Sequence, residues 1–184
     1  MAIGDGFHGV LTAAQAGAPW AFERLYGDLA PQVANYVRLR GAAEPEDLTS
    51  EVFLAVFERL ALFEGTEAGF RSWVFTIAHN KVADAQRRIN RRPWTEVDGA
   101  YLPDRPGGDV EDDALVALSA GTVRALLAEL PDIQRDVLLL RIVADLTVAQ
   151  VAAAMGKSQG AIKQHQRRAL AHLRQRLERE DVTL

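Results

Sequence analysis

The segment LTVAQVAAAMGKSQGAIKQHQRRALAHLRQRL, residues 146–177, has the pattern of two helices joined by a tight turn. Thr147 is a favourable N-cap for a short first helix. Gly156 can adopt the left-handed conformation that ends this helix, because glycine has no Cβ to clash. Ser158 can then cap a second, longer helix. The spacing predicts a helix-turn-helix, a unit that presents its second helix to the major groove of DNA.

The charge of the second predicted helix agrees with DNA binding. Between Lys157 and Arg179 the chain has seven Lys or Arg residues and one acid, Glu178. A basic, solvent-exposed helix in another kind of helical protein would carry the same charge. This segment alone therefore leaves both interpretations open.

Length and composition restrict the classes of protein to be considered. A chain of 184 residues fits one or two domains, and its lack of Cys excludes disulfides and thiolate zinc sites. No apolar run approaches the roughly 20 residues that span a bilayer. The N-terminal residues MAIGDGFHGV lack the order of a secretory signal. We therefore expect a cytoplasmic protein with no membrane contact of its own.

The net charge of −4 conceals a strong segregation of charge along the chain. The stretch from Arg71 to Pro93 carries six basic residues and one acid, Asp84. The stretch from Glu96 to Asp113 carries seven acids and one basic residue. An acidic strip thus separates two basic segments, and both basic segments are candidates for nucleic-acid binding.

The acidic strip also predicts the domain boundary. Residues 94–113 contain two Pro and three Gly and have no helical periodicity, which is typical of a flexible linker. We predict a first domain over residues 1–93, a flexible acidic linker over 94–114 and a second domain over 115–184. Ala and Leu dominate and strand-like alternation is absent, so the predicted fold is all-α, with two small helical bundles.

The apolar spacing and the helix-initiating prolines predict the individual helices. In the first domain they cover Val10–Ala16, Pro19 to about Gly41, Pro45–Leu60 and about Phe70–Arg92. In the second domain, helices near 115–129 and 132–144 precede the helix-turn-helix. The polar segment FEGTEAG, residues 63–69, is predicted as a loop.

Four segments, taken in order, resemble one known family. They are AFERLYGDLAPQV at 21–33, EPEDLTSEVFLAVFERL at 44–60, FEGTEAGFRSWVFTIAHNKVADAQRR at 63–88 and LPDIQRDVLLLRIVADLTVAQVAAAMGKSQGAIKQ at 130–164. Their order is similar to that of the sigma factors of bacterial RNA polymerase, in particular the compact extracytoplasmic-function group. That group retains only regions 2 and 4. The resemblance implies a promoter-specificity subunit that binds core RNA polymerase and directs it to promoters.

The resemblance implies that the helix at 45–60 docks on the clamp of the largest polymerase subunit. An amphipathic helix with an acidic rim suits such a helix-to-helix interface. The residues expected to bind polymerase are Asp47, Glu51, Phe53 and Glu58.

The resemblance further implies that the loop at 63–69 and the helix at 70–88 bind the single-stranded −10 element of the promoter and help to melt it. The expected contacts are Phe63, Gly65, Arg71, Asn80, Lys81, Arg87 and Arg88. His79 stands where the family often has a basic residue, which weakens the expectation of a phosphate contact there. Trp73 is expected to pack in the core.

The helix-turn-helix is implied to read the double-stranded −35 element. Its expected contacts are Lys157, Ser158, Lys163, Gln164, Arg167, Arg168 and Arg174, with residues near the start of the helix closest to base edges. The inner face is predicted as Ile162, Ala169, Leu173 and Leu177. Gln166 departs from the family, which usually has an apolar residue there, and His165 replaces a usual Arg.

The resemblance also implies an anti-sigma factor as a partner. No metal-binding, phosphate-loop or nucleophile motif is found, and the four His are dispersed; we therefore expect no cofactor, no metal and no catalytic residue. The alternative is a helix-turn-helix transcriptional regulator with an N-terminal helical partner-binding domain. That alternative explains the second domain equally well but gives no reason for the second basic helix.

Overall fold

A computed structural model describes residues 3–91 and 121–181 of the chain, and all regular secondary structure in these ranges is helical. The helices are α1 (Phe7–Gln15), α2 (Pro19–Leu39), α3 (Pro45–Arg59), α4 (Glu67–Arg91), α5 (residues 121–128), α6 (Asp132–Ile142), α7 (Val148–Met155) and α8 (Gln159–Asp181). Short 3₁₀ turns cover Gly4–Gly6 and Leu60–Leu62. None of the helices in these ranges is long and apolar enough to cross a membrane. The all-α prediction is confirmed.

Local signals set most of the helix starts. Proline occupies the first helical position of α2 and α3, where its missing N–H leaves no helical hydrogen bond unmade. Helix α4 begins at Glu67, three residues before the predicted Phe70. The reason is a cap: the Thr66 hydroxyl oxygen accepts a hydrogen bond of 3.2 Å from the Gly69 N–H.

Helices α1–α4 form the first bundle. Its core contains the fully buried side chains of Leu25, Val33, Val52 and Phe75. The rings of Tyr36 and Phe75 meet edge to face, with centroids 5.8 Å apart. Helix α4 packs against both α2 and α3, and this contact fixes which side of α4 remains exposed.

Helices α5–α8 form the second bundle, in which α8 packs against α6 and α7. Ile162 and Ala169 on α8 are fully buried, as predicted. The prediction that Leu177 continues this inner face is wrong, because its side chain is 48% exposed. Near the end of α8 the side chain of Arg176, and not that of Leu177, is half-buried. Its Nε lies 3.2 Å from the carboxylate of Glu129.

The two bundles pack against each other. Helix α7 lies on α4, α6 contacts α2, and the buried apolar residues of both bundles form one continuous cluster. The predicted linker, residues 94–114, lies outside the described residues, as does the start of the helix predicted near 115.

Candidate nucleic-acid interface

The turn between α7 and α8 has the geometry expected of a helix-turn-helix. Thr147 and Gln150 form a capping box, with reciprocal hydrogen bonds of 3.2 and 2.8 Å. Gly156 ends α7 in the left-handed region at φ +62°, which a residue with a Cβ adopts only at a cost. The Ser158 hydroxyl oxygen accepts a 3.2 Å hydrogen bond from the Ala161 N–H and caps α8. These local predictions are confirmed.

The outer side of α8 is basic and exposed. Its predicted contact residues all have exposed side chains: Lys157, Ser158, Lys163, Gln164, Arg167, Arg168 and Arg174. By helical periodicity, the side chains at 163, 164, 167 and 174 fall within about 100° of one another. They therefore form one continuous face opposite the buried Ile162, and this face can enter a DNA groove.

The two departures from the family lie at the border of this face. Gln166 and His165 are both half-buried. A polar Gln is tolerated there because the position is only partly removed from water. Helix α8 can therefore pack on the second bundle without an apolar residue at position 166.

In the first bundle, an aromatic cluster holds the segment that leads into α4. The Phe63 ring stacks on Trp73 with centroids 5.1 Å apart and meets Phe70 at 5.3 Å. The Gln15 side-chain amide donates hydrogen bonds to the carbonyl oxygens of Leu60, at 3.0 Å, and Phe63, at 2.8 Å. Trp73 thus packs as predicted, and Phe63 shapes the loop through its half-buried ring.

Gly65 is required by the conformation of the same loop. Its φ is +150°, and a Cβ added there would lie 3.2 Å from the Phe63 ring. Both the backbone and the ring therefore favour glycine at this position.

The exposed part of α4 carries most of the predicted −10 residues. Asn80, Arg87 and Arg88 are exposed, and Arg87 is ion-paired with Asp84 at 2.6 Å. Lys81 is half-buried and has its Nζ 3.2 Å from Glu51. These side chains can offer one amide and several positive charges to a nucleic-acid strand.

Arg71 is an exception to this group. Its side chain is only 17% exposed and is turned inward, with Nη2 4.0 Å from Asp28 and a hydrogen bond to Gln32. The guanidinium of Arg71 is thus held by partners within the first bundle, and its phosphate contact stays a prediction.

His79 is also turned inward. Its Nδ1 lies 3.2 Å from the Tyr36 hydroxyl. Burial, reinforced by the positive charges of Arg40 and Arg87, lowers the pKa of His79 to about 4. The ring is neutral at pH 7, so it supplies no positive charge where the family often has one.

Helix α3 presents an acidic stripe with one apolar residue. Asp47, Glu51, Leu54 and Glu58 are exposed and recur at helical spacing; we call these four residues the α3 stripe. Leu54 is 61% exposed. Sequence reasoning missed it, although its spacing from Glu51 and Glu58 places it on the same face.

Phe53 does not belong to the α3 stripe. Its side chain is 2% exposed and packs against Tyr26, with ring centroids 4.7 Å apart. The structure corrects its prediction as a direct polymerase contact, because Phe53 faces the core. Leu54, the next residue, is the accessible apolar side chain.

A groove of about 570 Å³ lies beside the α3 stripe, between the start of α3 and the end of α4. Asp47 and Glu51 line one side, and Arg88 and Ile89 line the other. Ile89 is 60% exposed. The stripe is therefore continuous with a concave, partly apolar surface.

Two exposed basic surfaces, on α8 and α4, thus accompany an acidic surface on α3. No group of three or more His, Asp or Glu side chains in the described ranges is arranged to hold a metal ion. A helix-turn-helix beside a second basic helix is the arrangement expected of an all-helical DNA-binding protein.

Comparison with known proteins identifies the family within this class. The family model of sigma-70 region 2 matches residues 25–92, and that of sigma-70 region 4 matches residues 126–175. The extracytoplasmic-function (ECF) RNA polymerase sigma factor ShbA of Streptomyces griseus is 40% identical over 132 residues, 70% of this chain and 69% of the relative. The ECF sigma factor SigD of Mycobacterium tuberculosis is 34% identical over 183 residues, 93% of this chain and 84% of the relative.

The chain therefore belongs to the sigma-70 family, in the extracytoplasmic-function group of RNA polymerase sigma factors, and acts as an alternative sigma factor in transcription initiation. Solved structures agree on the fold. CnrH in complex with the cytosolic domain of CnrY matches with a TM-score of 0.70 at 24% identity, covering 95% of this chain and 98% of that one. RpoE in complex with the anti-sigma factor NepR from Bartonella quintana matches with a TM-score of 0.62 at 20% identity, covering 85% and 96%.

Proposed function

We propose that residues 1–93 act as region 2, residues 115–184 act as region 4 and residues 94–114 join them. The first unit would bind core polymerase and the −10 element, and the second would bind the −35 element. The observation that carries this division is the separation of surfaces: the acidic α3 stripe and the basic face of α4 belong to one bundle, and the basic face of α8 belongs to the other.

At the −35 element, we propose that Lys163, Gln164 and Arg167 approach base edges in the major groove. Gln and Arg can each make two hydrogen bonds, to adenine and guanine respectively. Lys157, Arg168 and Arg174 then contact phosphates, which fix the position of the helix along the duplex. Ser158 contributes as the cap of α8.

At the −10 element, we propose that Asn80 contacts an unpaired base and that Lys81, Arg87 and Arg88 contact the backbone of the melted strand. Phe63 and Gly65 fix the shape of the loop that precedes α4. An unstacked base needs a shaped, rigid pocket, and the aromatic cluster supplies rigidity.

For polymerase binding, we propose the α3 stripe, with Leu54 as its apolar centre and the three acids around it. This arrangement of a small apolar contact within charged residues suits a helix that docks on a coiled coil. The acids favour a basic partner surface and give the interface its orientation.

We further infer that an anti-sigma factor controls this chain. Two solved structures with the same fold are complexes, one of them explicitly with an anti-sigma factor. We also infer that the protein works by binding, without bond chemistry of its own, and that it does so in the cytoplasm, where core polymerase and promoters meet.

Run-off transcription on fragmented bacterial DNA tests this function. Core polymerase is assayed alone and with the protein. We expect new start sites that share two upstream motifs at a fixed spacing, because two tethered domains act together only when both elements are within reach. Absence of new start sites would contradict the proposal. Sequence-specific DNA binding by the protein alone, with no new start sites, would favour the helix-turn-helix regulator.

A further inference from the structure

Residues 3–15 contact both ends of the loop that leads into α4. We call residues 63–66, between the second 3₁₀ turn and α4, the −10 loop. The family model of region 2 matches residues 25–92, so residues 3–15 lie outside the matched segment. They nevertheless belong to the same bundle, where α1 contacts both α2 and the 3₁₀ turn Leu60–Leu62. The −10 loop is therefore held partly by residues that the family model does not include.

We propose that Gln15 and Phe7 of α1 are positioning residues, which hold the −10 loop in the conformation that receives an unpaired promoter base. This inference rests on the proposed function of the loop at the −10 element. It extends that function to α1, a helix that carries none of the predicted DNA contacts. Neither residue has to touch DNA, because both act on the loop through Phe63.

The side-chain amide of Gln15 fixes the backbone at the start of the −10 loop. Its Nε2 donates one hydrogen bond to the carbonyl oxygen of Leu60, at 3.0 Å, and one to that of Phe63, at 2.8 Å. The same Leu60 oxygen accepts the Phe63 N–H at 3.0 Å, which closes the 3₁₀ turn. Leu60 is 1% exposed and anchors the turn in the core. Gln15 therefore ties the first residue of the loop to a fixed point of the bundle.

A series of ring contacts links Phe7 to the interior of the −10 loop. The Phe7 ring lies 5.7 Å from that of Phe70, and the Phe70 ring lies 5.3 Å from that of Phe63, measured between centroids. Phe7 and Phe70 are both buried. The Phe63 ring lies against Gly65, where an added Cβ would come within 3.2 Å of it. Because buried rings are closely packed, the position of Phe7 limits where the Phe63 ring and the loop can lie.

A third contact holds the start of α4, where the −10 loop ends. The carboxylate oxygens of Glu67 accept hydrogen bonds from the backbone N–H groups of Ile3, at 2.6 Å, and Gly4, at 3.0 Å. Glu67 is the first residue of α4 and is half-buried. A carboxylate in the first turn also interacts favourably with the helix dipole. Residues 3–15 thus restrain the chain at both ends of the loop.

Positioning matters because the −10 loop is short and largely exposed. Glu64, Gly65 and Thr66 are all exposed. An exposed loop samples several conformations unless neighbouring groups restrict it, and its affinity for a ligand falls with the fraction of molecules in the binding conformation. The Gln15 side chain is itself exposed. Its loss should therefore change that fraction more than it changes the stability of the fold.

Amide hydrogen exchange on the free full chain, followed by NMR, tests the restraint directly. Gln15→Leu keeps a side chain of similar size and removes both donors. We expect the Phe63 amide, which is hydrogen-bonded to Leu60, to exchange several-fold faster than in the wild type. The matched control is Thr12→Ala on the same helix. The Thr12 hydroxyl donates within α1, to the His8 carbonyl oxygen at 2.9 Å, so its loss should leave the Phe63 amide unchanged.

Permanganate footprinting with core polymerase tests the consequence for melting, on a promoter found by run-off transcription. Gln15→Leu should reduce the reactivity of the −10 thymines several-fold, whereas Thr12→Ala should match the wild type. On a template whose −10 region is already unpaired, the affinity of the Gln15→Leu holoenzyme should fall by a similar factor, because the loop acts by holding the base. Core polymerase binding should be unchanged, which separates positioning from a general loss of structure.

A second variant keeps the test decisive. Phe7→Leu removes the ring contact with Phe70 but keeps an apolar side chain, and should give the same pattern. Should circular dichroism show that Gln15→Leu has lost helix, Phe7→Leu decides. Unchanged exchange at Phe63, or faster exchange with normal melting, would overturn the positioning role. If exchange is faster but the wild-type holoenzyme itself melts no promoter, the proposed −10 function fails while the restraint of the loop by α1 stands.

Discussion

The Nζ atom of Lys81 lies 3.2 Å from Oε2 of Glu51, which joins α4 to α3 through side chains that are 33% and 46% exposed. Lys81 belongs to the surface proposed to bind the −10 strand, and Glu51 belongs to the α3 stripe. The pair thus marks the border between two proposed binding surfaces. Because the pair is partly exposed, it contributes little to the stability of the fold. Substitutions at Lys81 or Glu51 should therefore affect binding more than stability.

Replacing Glu51 with Gln should weaken core polymerase binding several-fold, because a charge is lost from the proposed interface. The free energy of unfolding should change by less than about 1 kcal/mol. The control is Glu46→Gln: Glu46 pairs with Arg38 at 3.0 Å and projects about 100° from the stripe. Core-binding titration and thermal denaturation measure the two effects, and an equal loss of affinity in both variants would contradict the assignment of the stripe.

Replacing Gly65 with Ala should impair promoter melting. The added Cβ meets the Phe63 ring at 3.2 Å in a backbone with φ +150°, a strain on the order of 1–3 kcal/mol. Gly69→Ala is the matched control, because its Cβ would make an ordinary contact of 3.5 Å with Thr66. Permanganate footprinting of unpaired thymines reports melting. Normal melting by the Gly65 variant would remove the loop from the proposed mechanism.

Replacing Arg167 with Ala should reduce transcription from promoters that need the −35 element by about tenfold or more, as expected for losing one base or phosphate contact. Arg176→Ala is the control on the same helix, because Arg176 is engaged with Glu129 at 3.2 Å. Run-off transcription at fixed salt measures both. Comparable losses would show that the exposed face of α8 was wrongly identified.

The pH dependence of stability should reveal opposing contributions from His79 and Asp136. The pKa of His79 is lowered from 6.5 to about 4, so its contribution to stability falls as the pH drops through this window. Burial raises the pKa of Asp136 on α6 from 3.8 to about 6, so the folded state binds a proton more tightly and its contribution rises as the pH falls from 6 to 4.

These two contributions have opposite signs in the wild type, and single substitutions should separate them. Relative to wild type, His79→Gln should become more stable as the pH falls from about 6 to 4, and Asp136→Asn should become less stable. Denaturant unfolding at several pH values measures the difference. Parallel curves for all three proteins would contradict the burial of these groups.

Local sequence signals predicted much of the fold. Pro19, Pro45, Thr147, Gly156 and Ser158 each act within one turn of their own position, and each begins or ends a helix as predicted. The start of α4 was predicted three residues too late, because the Thr66 cap lies inside a polar segment. The basic face of α8 was also predictable, since periodicity alone separates it from Ile162 and Ala169.

For side chains at the edge of a helix's apolar face, burial or exposure is decided by contacts with residues that are remote in the sequence. Phe53 and Leu54 are adjacent and both apolar, and packing against Tyr26 decides that Phe53 is buried. The sequence predicts Arg71 as a phosphate contact, whereas in the structure its guanidinium contacts Asp28 and Gln32. Leu177 is exposed and does not continue the inner face of α8. The neighbouring Arg176 forms an ion pair with Glu129 there.

The sequence by itself determined the helices, their apolar faces, the helix-turn-helix and the segments that define the family, because these follow from short-range backbone preferences and from ordered motifs. Only the tertiary structure decided that α7 lies on α4 and that Arg40 meets Asp136 across 96 residues of chain. Helical periodicity states which side of an element is apolar but not which element covers it. Pairing between distant charges arises from the packing of whole bundles, where burial makes each charge depend on the other.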